Sequence, residues 1–185
     1  KIINEITSFS DVEKLECTKV PAQVPGNFEL DLVRQGLLED PYYSKNVLTL
    51  QEFETCHIFY GIEFEYDEIA DDNTVLLFEG IDTVADIYLN GEKIGHTENM
   101  YIPHEFSAKK IHKGMNELMV HIYPVSLEAR KYDFASSDRA LKYNYESLVI
   151  RKAAHSFGWD ICPRVVSAGL WRPVWILQKK EERID

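Results

Sequence analysis

Val84-Ala-Asp-Ile-Tyr-Leu-Asn-Gly-Glu-Lys-Ile-Gly95 is the stretch on which the fold turns. Asn90-Gly91 stands between two short runs of strand-forming residues. Both residues accept the positive φ that a type I′ two-residue hairpin needs. The pair therefore predicts two antiparallel strands joined by a tight turn.

Working outward, the same texture recurs. His57 to Tyr66 alternates, with Ile62, Phe64 and Tyr66 set against Glu63, Glu65 and Asp67. Asp71-Asp-Asn73 turns the chain into Thr74-Val-Leu-Leu-Phe78, which reads as a buried strand. Tyr101 to Phe106 is a further extended piece, and Asn116 to Tyr123 is another alternating strand. Gly169 to Leu177 is the last one; Pro173 requires it to start late or lie at an edge. Residues 1–24 read as an opening strand or two with loops. Phe28 to Gly36 is the exception: Phe28, Leu32 and Val33 recur at helical spacing, and Gly36 is a fitting stop. Ser126 to Tyr132 reads as a strand or an irregular connection. Residues 133–157 read as a long insertion with local structure. Many short strands, frequent turn signals and one or two short helices predict an all-β sandwich or jelly roll. Residues 1–178 form one domain on this reading, and the charged tail 179–185 begins a linker.

Composition narrows the function. The net charge of −11, from 31 acidic and 20 basic residues, argues against nucleic acid or an anionic membrane as partner. Cys17, Cys56 and Cys162 are too scattered for a disulfide framework or a zinc site, so no metal and no cofactor is expected. The expectation is three reduced thiols, two of them buried. No run is long and apolar enough for a membrane span. The start Lys1-Ile-Ile-Asn-Glu carries no signal-peptide pattern, which leaves the compartment open, with a periplasmic or secreted home allowed if a leader has been removed.

The chemistry concentrates in Arg151-Lys-Ala-Ala-His-Ser-Phe-Gly-Trp-Asp-Ile-Cys-Pro-Arg164. Trp159 and Asp160 place an aromatic plate beside a carboxylate. That pair suits a sugar, whose C–H face stacks on indole while its hydroxyls donate to the carboxylate. Two blander readings compete: Trp159 as a core residue, and Asp160 as a residue capping its own loop. Arg164 stands at a spacing that would let it orient Asp160 through a salt bridge. His155 has no evident partner and reads as a structural or rim residue. Glu63 with Glu65, and Asp71 with Asp72, read as a solvated strand face and a turn. Asp40-Pro-Tyr-Tyr43 reads as packing at a domain edge.

Gly80-Ile-Asp-Thr-Val-Ala-Asp-Ile-Tyr-Leu-Asn-Gly-Glu-Lys-Ile-Gly95 followed by Thr97-Glu-Asn-Met100 resembles the N-terminal sugar-binding domain of glycoside hydrolase family 2. Val24-Pro-Gly26, Asp40-Pro-Tyr-Tyr43, Arg151-Lys152, Phe157-Gly-Trp-Asp160, Pro163-Arg164 and Gly169-Leu-Trp-Arg-Pro173 point to its β-mannosidase-like branch. The resemblance covers roughly residues 20–178 and implies a jelly roll of galactose-binding-domain-like topology. It implies an immunoglobulin-like domain and a (β/α)₈ barrel downstream. The barrel would carry the two glutamates of a retaining hydrolase, about 5 Å apart, so no catalytic residue is expected in this chain. It also implies that Trp159 and Asp160 line the pocket for a terminal β-mannoside or related sugar. Where the family runs Trp-Gly-Pro after this pair, the chain has Ile161-Cys162-Pro163, and that departure bears on which sugar fits. A self-sufficient carbohydrate-binding module and a structural sandwich for assembly are the alternatives.

Overall fold

The computed structural model describes residues 6–135 and 144–180. Among the described residues, seven strands form two antiparallel sheets. They are β1 (Ile58–Tyr66), β2 (Thr74–Phe78), β3 (Ala85–Leu89), β4 (Glu92–Thr97), β5 (His104–Ser107), β6 (Gly114–Ile122) and β7 (Val174–Gln178). One sheet runs β1-β6-β3-β4 and the other β5-β2-β7. Short α-helices accompany them: α1 (Phe9–Glu13), α2 (Phe28–Arg34) and α3 (Val125–Glu128).

The predicted hairpin forms between β3 and β4. Asn90 and Gly91 sit at φ of 52° and 79°, the left-handed conformation the turn requires. Asn90 does more than turn the chain. Its Oδ1 accepts from the Glu117 amide (2.9 Å), and its Nδ2 donates to the Lys110 carbonyl (3.0 Å) and Asn116 Oδ1 (2.9 Å). The turn is thereby tied to β6 and to the loop before it.

Alternation on each strand sends one face inward. Tyr60, Leu118, Val120, Ile122, Ala85, Ile87 and Leu89 from the first sheet meet Leu76 and Phe78 from the second, all buried. Phe106, Val174 and Ile176 pack at their margins. Burying apolar surface contributes about 25 cal/mol per Å², so this layer is the main source of stability. Gly95 lets the sheets close at one edge, since a Cβ there would stand 2.1 Å from the Phe106 ring. β7 begins directly after Pro173 and lies at a sheet edge, as the proline requires.

Several expectations are corrected. Among the described residues the N-terminal segment holds no strand: it forms α1 and lays Ile6, Phe9, Val12 and Leu15 over Tyr88, Met119 and Phe59, on the outer face of the larger sheet. Gly61 leaves room for Phe9 there, because a Cβ would sit 2.3 Å from its ring. A sequence signal for this helix exists: Ser8 Oγ donates to the Asp11 carboxylate at 2.9 Å, an S-x-x-D start. α2 forms where expected, yet its buried residues are Glu29 and Asp31, not the apolar ones. Residues 125–131 are helical (α3, then a 3₁₀ turn Ala129–Lys131) rather than extended. The thiols are free, but Cys17 and Cys56 are exposed and Cys162 is half-buried. Tyr42 and Tyr43 project into solvent, 86% and 73% exposed. The tail beyond residue 180 lies outside the described residues, as does part of the expected insertion (136–143).

A second apolar cluster matters most for function. Val84, Val125, Ala129, Ile150 and Phe157 are buried together, with Tyr123, Tyr145, Val149 and Val166 around them. It binds the 145–166 segment to one end of the sandwich.

Candidate functional site

The described part of the insertion has regular local structure. A 3₁₀ turn Tyr145–Leu148 leads to Ile150 and Arg151, and a second 3₁₀ turn spans Ala154–Phe157. The Met100 amide donates to the Arg151 carbonyl at 3.1 Å, joining this segment to the loop after β4. Lys152 is buried and pairs with Asp82, and it also donates to the Ser167 carbonyl (2.8 Å).

Two anchors then hold a short turn between them. Phe157 is fully buried. Arg164 makes a two-pronged bond to Glu54, Nε to Oε1 at 2.8 Å and Nη2 to Oε2 at 2.7 Å, and Nη2 reaches Glu146 Oε1 at 2.8 Å. Burial works against the charge of this guanidinium, but Glu54 and Glu146 outweigh it and its pKa is raised. Between the anchors, Gly158 at φ 95° turns the chain outward, a conformation that glycine adopts without steric cost. The turn closes on itself through the Trp159 amide to the Cys162 carbonyl (3.0 Å) and the Cys162 amide to the Trp159 carbonyl (3.2 Å).

The consequence is an exposed tip. Trp159 is 69% exposed, Ile161 is 92% exposed, and Asp160 is exposed beside them. The core reading of Trp159 does not describe this geometry. Nor does the loop-capping reading of Asp160, because backbone bonds alone close the turn and the carboxylate has no partner among the described residues. The expected Arg164–Asp160 salt bridge is replaced by the clamp on Glu54 and Glu146. Those carboxylates are largely buried, and a guanidinium gains more from them than from one at a solvated tip. His155 is exposed on the 3₁₀ turn before the tip, and its imidazole bonds no described neighbour.

Glu54 and Glu146 escaped the sequence reading. They lie 110 and 18 residues from Arg164, and no local pattern joins them. Among the described residues, no cluster of three or more His, Cys, Asp or Glu is placed to hold a metal, and no helix is long and apolar enough to cross a membrane.

The profile of the glycosyl hydrolase 2 galactose-binding domain-like family matches residues 7–172. The chain belongs to that family. A β-D-mannosidase structure from Dictyoglomus thermophilum superposes with a TM-score of 0.78 at 35% identity, over 89% of this chain and 21% of that one. β-Mannosidase B of Thermothelomyces thermophilus is 30% identical over 172 residues, covering 90% of this chain and 20% of the relative. The β-mannosidase of Rattus norvegicus is 31% identical over 169 residues, covering 85% and 19%. This family member thus spans about one fifth of the length of the curated relatives it matches. The two-sheet sandwich is the galactose-binding-like fold that the sequence predicts.

Proposed function

We propose that this chain is the non-catalytic N-terminal domain of a retaining β-mannosidase-like glycoside hydrolase, and that Trp159 and Asp160 form one wall of its terminal-sugar pocket. One observation carries the reading: an exposed indole and an unpartnered carboxylate stand on a turn fixed at both ends. A carboxylate left without local bonds is free to accept from sugar hydroxyls, and the indole offers a flat apolar face. The anchors at Phe157 and Arg164 keep both side chains in register, which reduces the ordering cost of binding. The similarity to β-mannosidases supports the sugar class.

On this reading the downstream immunoglobulin-like and barrel domains supply the rest of the pocket and the catalytic carboxyl pair. Asp160 binds and orients the sugar; it neither donates the proton nor attacks. A charge-assisted hydrogen bond to a desolvated hydroxyl contributes about 1.5–3 kcal/mol. Asp160→Asn in the full-length enzyme is therefore expected to lower kcat/KM for an aryl β-mannoside about 10- to 150-fold. Unchanged kinetics would remove Asp160 from the pocket.

A further inference from the structure

A cleft of about 480 Å³ opens between the end of β4, the segment after α3 and residues 149–151. Ligand clefts typically hold roughly 300–1,000 Å³. Its floor is apolar, made by Val84 and Ile150 of the second cluster. Its walls are polar: His96, Glu98, Asn99, Lys131, Tyr132 and Arg151. Neither Trp159 nor Asp160 lines it.

Some of these groups are already committed within the fold. Lys131 pairs with Glu128. His96 bonds Asp86 through Nδ1 (2.5 Å) and Glu98 through Nε2 (3.2 Å). Asn99 Oδ1 accepts from the Tyr101 amide at 3.0 Å. Among the described residues, no partner is met by the Asn99 NH₂, the second oxygen of Glu98, the Tyr132 hydroxyl with its half-exposed ring, or the guanidinium of Arg151. The Arg151 backbone is held firmly, since Ile150 and Lys152 on either side of it are buried and its carbonyl is bonded to the Met100 amide.

The free groups mix donors with acceptors, beside an aromatic plate. With Glu128, which also lines the cleft, Glu98 and Glu128 balance Lys131 and Arg151, and the chain as a whole carries a net charge of −11, which repels anionic ligands. A polyhydroxylated neutral molecule matches this set, because each hydroxyl both donates and accepts. We propose that the cleft is a second carbohydrate subsite, distinct from the Trp159–Asp160 turn, which takes a neutral sugar unit of an oligosaccharide. The proposal deepens the β-mannosidase-like reading: it makes the substrate an oligosaccharide held at two places on this domain.

Titrating the ¹⁵N-labelled chain with mannotetraose, followed by amide chemical shifts, tests it. The expected result is saturable movement of amides at 96–99, 130–132 and 149–151, weakened at least tenfold by Arg151→Ala and by Tyr132→Ala, while amides outside the cleft keep their wild-type shifts in both variants. No movement at these amides, or a stronger response to a galacturonate oligomer than to mannotetraose, would overturn it. The turn is read separately at the amides of 159–162. A wrongly assigned turn shows instead in unchanged kinetics of Asp160→Asn in the full-length enzyme, so the two failures give different results.

Discussion

Asp160 and Arg164 stand four positions apart and meet opposite fates. The carboxylate is exposed and unspent, whereas the guanidinium is committed to Glu54 and Glu146. Removing the cation would strand two carboxylates with side-chain exposures of only 14% and 5%. Breaking a buried pair costs about 3–5 kcal/mol; with Arg164 itself 21% exposed, Arg164→Ala should lower unfolding free energy by about 2–4 kcal/mol in urea titration. A loss below about 1 kcal/mol would mean that the clamp contributes only surface electrostatics. Glu29 makes a second residue-scale case. Burial pushes its carboxyl up from 4.5 to about 7, against the Ser167 hydroxyl bond that favours the anion. The folded chain then holds a proton between those values that the unfolded chain has released. Its stabilising contribution is full below about pH 4.5 and is lost as pH rises through 7. Glu29→Gln should therefore gain on the wild type by up to about 3 kcal/mol between pH 4.5 and 7, read from paired urea midpoints. Pairing is needed because His121 works in the opposite sense: burial, and His57 beside it, lower it from 6.5 to about 4. Its contribution is lost as pH falls.

Among the elements, the β3–β4 hairpin was legible because its turn chemistry is local. The 168–170 segment was not, because its role depends on what lies on both sides. The Gly26 amide bonds the Leu170 carbonyl (2.9 Å) and the Phe28 amide bonds the Ala168 carbonyl (3.1 Å). On the other side, Asp82 and Gly169 exchange bonds of 2.9 and 3.2 Å. The segment thus fastens the approach to α2 onto the sandwich. Gly169 has no room for a side chain: a Cβ would lie 2.4 Å from the Gly26 carbonyl oxygen. That neighbour is backbone and cannot swing aside, so Gly169→Ala should destabilise the chain by about 1–3 kcal/mol, measurable as a lowered thermal midpoint. The burial of Glu29 and Asp31 on α2 was likewise hidden, since helical periodicity marks an inward face by apolar residues. Here the inward face meets polar partners: the Ser167 hydroxyl donates to Glu29 (3.1 Å) and the Gln23 amide to Asp31 (3.0 Å).

For the molecule as a whole, the apolar sandwich and the 145–166 segment are separate constructions joined through Val84 and Lys152. The sandwich supplies rigidity, and the segment supplies the exposed chemistry. On the proposed reading the chain holds one side of a pocket and lacks the reacting carboxyl pair. The 185-residue chain alone should therefore release no nitrophenol from a nitrophenyl β-mannoside, while the full-length enzyme does. Hydrolysis by the chain alone would place the catalytic carboxylates within it. The seven strands of the two sheets, the hairpin turn, the edge position after Pro173 and the choice of Trp159 and Asp160 as the pair of interest were legible along the chain, although an opening strand was also read where α1 forms. These rest on period, turn residues and neighbouring side-chain types, all local along the chain. Only the tertiary structure decided that Trp159 is exposed, that Asp160 is unspent and that Arg164 belongs to Glu54 and Glu146. Exposure and pairing depend on groups up to 110 residues away, which the folded backbone alone brings together.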